Sequence, residues 1–408
     1  MDPHDNPYTP GAGVKPPALV GRDREIEAFG VTLARLKRGD HSRSVILDGL
    51  RGVGKTVLLN EFDVMAREQD WITSGVVECN EDDRIAALIA KLSHRTLRRL
   101  SRGKRVKEAV ARAAGALKAF TLVMNEEGTW RFQFDVDAIR GVADSGDPET
   151  DIGELLTEIG AAAAEQGAGA LYLLDELQFL SPKDLGVLAT AMHKISQENT
   201  PVLLAAAGLP PLSRVLGEAK PYAERLFEYR EIGSLPKASA AGALSVPAQR
   251  RGGSFAPAAL ELIIEQAGGY PYFLQQWGET IWDEAPGPKF TADDVAAVEE
   301  VVNDELDRRF FRDRYDKATE AERIYMAAMA DLGDGPHSSA EIADHLGKTQ
   351  SALSVRRAGL LKKGLIHNPT DHELDFTVPH FGAFMRRIHP FNRDERPRRG
   401  RKPRPPRG

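Results

Sequence analysis

The chain has 408 residues, a hydrophobic fraction of 42%, a formal net charge of −6 and one cysteine, Cys79. That length exceeds what one hydrophobic core usually serves, so two or three domains are expected. The composition excludes an intramolecular disulfide framework and a chain coated overall by nucleic acid, and no apolar run approaches the roughly 18 residues of a membrane span.

Residues 1–18 are rich in Pro, Gly and Asn, show no periodicity and lack the basic and apolar regions of a signal peptide. They read as a flexible arm on a cytoplasmic protein. Folding starts near Leu19, where Val20-Gly21-Arg22 leads into a helix with Ile26, Phe29, Leu33 and Leu36 on one face. Short apolar runs at 44–49, 71–79, 170–176, 202–208 and 227–233 then alternate with helical segments. Strands interleaved with helices predict a mostly parallel sheet covered on both faces, an α/β core over 19–235. The second and third runs are separated by about 90 residues, more than one crossover needs, so a helical insertion is expected at about 80–160. Its basic stretch at 94–107 fits either the solvated face of an inserted helical pair or a nucleic-acid contact.

Beyond Pro236 the pattern is helical, giving an all-α lid and linker helix over 236–316, with Thr291, Asp293 and Asp294 opening the last of these helices. Two capping boxes, Thr319 to Glu322 and Ser338 to Glu341, open helices at 317–390. A third helical pattern and a hairpin around Pro369 to His372 follow, which together read as a winged helix-turn-helix. The basic, Pro-rich tail at 391–408 reads as disordered.

The segment GLRGVGKT, Gly49 to Thr56, follows a strand pattern and opens a helical one, the context a phosphate-binding loop requires. Gly49, Gly52 and Gly54 let backbone N–H groups curl around phosphate oxygens, and Val53 and Val57 belong to the same loop and helix start. Lys55 supplies a cation toward the outer phosphates, and Thr56 offers a hydroxyl to magnesium. The strand LYLLDE places Asp175 to hold Mg²⁺ and Glu176 to orient or deprotonate an attacking water; two carboxylates capping the next helix are the alternative. ATP with Mg²⁺ is the expected ligand pair. A kinase built on the same loop would need an acceptor pocket that the sequence does not display.

The order VGRDREIEAF, GLRGVGKT, LYLLDEL, AAGLP, YAERLF and GGYPYFL, followed by a winged-helix pattern, resembles the AAA-type ATPases of the origin-recognition and archaeal-ATPase group. It is also similar to the related signal-transduction ATPases with numerous domains. The resemblance implies that Val20, Gly21 and Arg22 pack near the adenine and that Pro271, in Gly269-Tyr270-Pro271, starts a lid helix against the nucleotide. A helix C-cap followed by a proline at the next helix start would give the same three residues. The resemblance also implies a nucleotide-sensing polar residue at the end of the fourth strand, where this chain has Ala207-Gly208. Arg225 stands where such proteins carry an arginine that reaches a γ-phosphate of its own or a neighbouring subunit; an ion pair with Glu224 or Glu228 is the alternative.

Two partner classes remain open for the C-terminal module. A recognition helix presenting Thr349, Gln350, Ser351, Ser354, Arg356 and Arg357 would suit double-stranded DNA. The module carries nine Lys/Arg against nine Asp/Glu, whereas the tail carries eight against two. A neutral module suits protein docking, and a basic tail suits phosphate backbone. A homo-oligomer would accompany an arginine acting between subunits.

Overall fold

The computed structural model describes residues 1–11, 13–101, 107–125, 136–210, 212–370 and 372–393. The tail from 394 onward, residues 102–106 of the basic stretch and position 371 of the hairpin turn lie outside the described residues. Five strands, β1 (Ser44–Asp48), β2 (Ile72–Glu78), β3 (Ala170–Asp175), β4 (Val202–Gly208) and β5 (Phe227–Glu231), form one sheet in the order β2-β3-β4-β1-β5. Every pairing is parallel, and β4 lies between β1 and β3.

Because side chains alternate across a strand, each strand feeds two cores. Val45 and Leu47 of β1, Leu171 and Leu173 of β3, and Leu203 and Ala205 of β4 pack with Phe29, Leu33, Leu58 and Phe62. Those four partners come from helices Asp23–Lys37 and Lys55–Glu68, and Phe29 stacks on Phe62 at 3.9 Å between ring centroids. The intervening residues Ile46, Tyr172, Leu174 and Leu204 face the opposite core. Three helices between β2 and β3 supply much of that second core: Ile85–Leu100, Lys107–Met124 and Pro148–Ala164. The expected inserted pair is thus three helices, since Gly146 at φ +84° and the Asp147 cap start the third. Within the basic stretch, Arg99 turns inward and donates to the Thr73 carbonyl and hydroxyl.

The chain divides into two compact units, one of Pro7–Gly253 with Gly269–Gln275, the other of Met1–Asn6, Ser254–Gly268 and Gln276 onward. This partition differs from a boundary at 235/236. Helix Lys237–Arg250 and the start of helix Pro271–Glu284 belong with the sheet-bearing unit.

Residues 1–18, read from composition as a flexible arm, are held at specific points. Tyr8 is buried, and its hydroxyl donates to the Leu244 carbonyl at 2.5 Å. Lys15 pairs with Glu61 at 2.6 Å, and Arg250 donates to the Pro17 carbonyl. In the other unit the Trp282 indole donates to the Asp2 carbonyl. Composition missed these anchors because one aromatic ring in a Pro-rich run carries no periodicity.

In the second unit, a short parallel strand pair, Ser254–Phe255 with Lys289–Phe290, accompanies the helices expected to stand alone. Thr291, Thr319 and Ser338 each form the complete capping box their helices require. Helices Glu320–Asp331, Ser339–His345 and Gln350–Lys362 are followed by strands Ile366–His367 and Glu373–Phe376, the latter also pairing with His337–Ser338. A further helix, Phe381–Ile388, closes the block by packing Phe384 against Phe311 at 5.2 Å between ring centroids. Among the described residues no helix is long and apolar enough to cross a membrane.

Candidate active site

β1 ends at Asp48, and the loop that follows turns into helix Lys55–Glu68 through Gly52 at φ +84° and Gly54 at φ +94°. A Cβ on Gly49 would stand 2.2 Å from the Ile232 carbonyl oxygen, so only glycine permits that approach. Val53 is buried beneath the loop, and Val57 is half-buried in the first helical turn.

Lys55 is buried, and its Nζ donates to the Gly49 carbonyl at 2.6 Å and the Leu50 carbonyl at 2.9 Å. Burial holds its ammonium down at about 8, with the Glu176 and Asp175 carboxylates acting against that shift. A buried cation whose hydrogen bonds, among the described residues, go to neutral carbonyls beside a helix N-terminus is suited to receive an anion. The Thr56 hydroxyl donates to Asp175 Oδ2 at 2.6 Å across the gap between the loop and β3. Burial raises the Asp175 carboxyl above its ordinary range, and a cation beside it would relieve that cost. One hydroxyl, one carboxylate and a phosphate oxygen are a donor set that fits magnesium, whose remaining positions go to water.

Glu176 follows at φ +54°, a left-handed conformation uncommon outside glycine. Its carboxylate accepts from the Gln178 side-chain amide and lies 3.7 Å from the Arg51 guanidinium of the phosphate loop. Neither Arg51 nor Gln178 stood out in the sequence, because an arginine in a variable loop position and a glutamine after an acidic pair match no motif. Asp48 was also passed over. Burial pushes its carboxyl up to about 6, and its Oδ1 has no partner among the described residues.

Arg22 is tied into the fold. Its guanidinium donates to the Val53 carbonyl at 3.1 Å and the Gly233 carbonyl at 2.5 Å, clamping the phosphate loop to the chain leaving β5. Gly21, at φ +71°, has Ser239 where a Cβ would point, and Val20 precedes it half-buried. Gly269, at φ +70°, accepts from the Leu235 N–H at 2.8 Å, and Pro271 opens the next helix. Tyr270 between them packs onto the core beneath the phosphate-loop helix.

Arg225 is exposed two residues before β5, where Phe227 pairs with Ser44, the first residue of β1. In a parallel sheet this end is opposite the phosphate loop. Five residues at about 3.3 Å each separate the ends, so Arg225 stands at the end of the sheet away from its own phosphate loop.

Of the C-terminal candidates, Thr349 caps helix Gln350–Lys362, and Gln350 and Ser351 are exposed in its first turn. Ser354 turns its hydroxyl to the Ser351 carbonyl, and Arg357 donates to the Ser339 hydroxyl at 2.9 Å. Arg356 is half-buried, and Val355 beside it is 82% exposed.

A five-stranded parallel sheet with this loop after its first strand matches the fold of P-loop nucleoside triphosphatases. Residues 18–205 match the family model described as an AAA ATPase domain. Residues 308–385 match a domain of unknown function. The Walker-type ATPase of Pyrococcus abyssi is similar over 90% of this chain and 96% of its own, at 15% identity and a TM-score of 0.50. The Aeropyrum pernix ORC2 protein in its ADP form is similar over 92% and 97%, at 14% identity and a TM-score of 0.50. Identities this low establish likeness of fold alone. No curated protein matches the chain in sequence.

Proposed function

We propose that the chain is an ATP-hydrolysing, nucleotide-dependent switch of the origin-recognition and archaeal-ATPase type. The observation that carries this reading is the meeting of Lys55, Thr56, Asp175 and Glu176 at the C-terminal end of one parallel sheet. Lys55 receives the β- and γ-phosphates, Gly49 to Val57 wrap them, and Thr56 with Asp175 hold magnesium, which neutralises phosphate charge when bound. Glu176 orients and deprotonates the attacking water. Arg22 keeps the loop in shape rather than touching nucleotide, and Pro271 starts the lid helix that responds to the bound state. Arg225 serves the site of a neighbouring copy in a homo-oligomer.

The C-terminal block acts as a winged helix-turn-helix, with Gln350, Ser351 and Arg356 toward double-stranded DNA and the basic tail on its phosphates. A second reading, docking of a partner protein, is favoured by the exposure of Val355 and by the engagement of Arg357 with Ser339.

The test is phosphate release with and without duplex DNA, comparing the native chain with Lys55→Ala and Glu176→Gln. Native turnover lost in both variants is expected. Equal turnover in all three would remove the ATPase reading. Duplex retention that falls steeply with salt and disappears on neutralising Arg356, Arg357 and the tail supports the DNA reading, whereas unchanged retention sinks it.

A further inference from the structure

The end of β4 lies beside the candidate site yet offers only Ala207 and Gly208. The space there is filled from elsewhere. A Cβ on Gly208 would stand 3.0 Å from Gln178 Oε1 and 2.9 Å from Leu212 Cδ2. Gln178, in the turn Leu177–Phe179 after β3, accepts from the Leu209 N–H at 3.0 Å through that same Oε1. Its Nε2 donates to the Glu176 carboxylate. One amide therefore joins the backbone at the end of β4 to the carboxylate expected to handle water. A glycine at 208 is what leaves room for it.

The bridge has a definite electrostatic setting. The Arg51 guanidinium draws the Glu176 carboxylate toward the phosphate loop, and Arg51 Nε is buried with no partner among the described residues. The neutral amide of Gln178 holds the same carboxylate from the β4 side without cancelling its charge. Both neighbours favour the ionised carboxylate, and the amide adds a fixed direction from the β4 side.

We infer that Gln178 is a positioning residue for ATP hydrolysis, standing in for a polar side chain that β4 lacks and aiming Glu176 by anchoring it to Leu209. This inference rests on the hydrolysis reading above. A displacement of about 1 Å in a reacting group can cost about 10²-fold in rate, so losing the anchor should lower kcat strongly. Among the described residues the Gln178 side-chain hydrogen bonds go to Glu176 and Leu209 and not to Lys55, Thr56 or Asp175, so nucleotide affinity should be spared.

The experiment compares the native chain with Gln178→Ala and with the double variant Gln178→Ala/Gly208→Asn, in which a carboxamide grows from β4 into the vacated space. Steady-state turnover and Mg·ATP titration are combined with hydrogen–deuterium exchange of the nucleotide-free chain over residues 203–210. Gln178→Ala should lose at least about tenfold in kcat, with KM and nucleotide affinity within about twofold and faster exchange at Leu209. The double variant should recover part of the lost kcat. Unchanged exchange at Leu209, unchanged kcat, or a kcat loss matched by lost affinity and not restored by Gly208→Asn would each overturn the inference. A native chain that binds ATP without turnover overturns the hydrolysis reading and this role with it. Active native protein with an unaffected Gln178→Ala variant overturns this role alone.

Discussion

Replacing Lys55 by Met separates two effects that oppose each other in the site. Burial holds the Lys55 ammonium at about 8 against an ordinary 10.5, which disfavours the charged form in the folded chain by about 3 kcal/mol at neutral pH. Removing the charge recovers that cost. Losing the hydrogen bonds to the Gly49 and Leu50 carbonyls offsets it by about 1 kcal/mol each. The thioether refills most of the stem volume, so the nucleotide-free variant should gain about 1 kcal/mol, or about 3 °C in Tm. The same change removes the cation that meets phosphate. Stabilisation by Mg·ATP, about 2.7 kcal/mol at a hundredfold excess over Kd, should therefore vanish. The pH dependence carries a sign as well. Between about 8 and 10.5 the folded chain binds fewer protons at Lys55 than the unfolded chain, so native stability rises across that window. The Met variant should lack that rise. Thermal unfolding followed by circular dichroism across this pH range, with and without Mg·ATP, reads all three effects. A variant that melts several degrees lower without nucleotide, or keeps the ATP-induced shift, would refute the reasoning.

Glu176→Gln should retain nucleotide affinity and lose about 10²- to 10⁴-fold in turnover, read by fluorescent-nucleotide titration beside phosphate release; near-native turnover would remove Glu176 from the chemistry. Arg225→Ala should leave nucleotide affinity intact and lower turnover only at protein concentrations where copies associate, which a concentration series with light scattering checks. Equal loss at every concentration would argue for a role within one subunit. Tyr8→Phe leaves the buried Leu244 carbonyl without its donor and should cost about 1–3 kcal/mol in urea unfolding. No measurable change would mean that the arm is not anchored there in solution.

Much of the site was legible because its signals are local. Glycines flank a cation and a hydroxyl between a strand pattern and a helix pattern, and those few residues dictate both the turn and the free N–H groups. The five strands were readable for the same reason, as were the capping boxes at Thr319 and Ser338, whose partners lie three residues away. Helix Phe381–Ile388 escaped because its eight residues give barely two turns of periodicity. The arm escaped because only the position of Leu244 makes Tyr8 an anchor.

Local patterns carry the chemistry on offer: a candidate phosphate loop at Gly49 to Thr56, an acidic pair at Asp175-Glu176, and a helical C-terminal block. Which of these groups meet depends on the folded sheet. The insertion of β4 between β1 and β3 brings Gly208 and Leu209 against Gln178, about 30 residues away along the chain. The parallel direction of β5 carries Arg225 to the end of the sheet away from the phosphate loop of its own subunit. Neither outcome follows from local preference, because strand order and direction are set by how two faces of one sheet are buried at once.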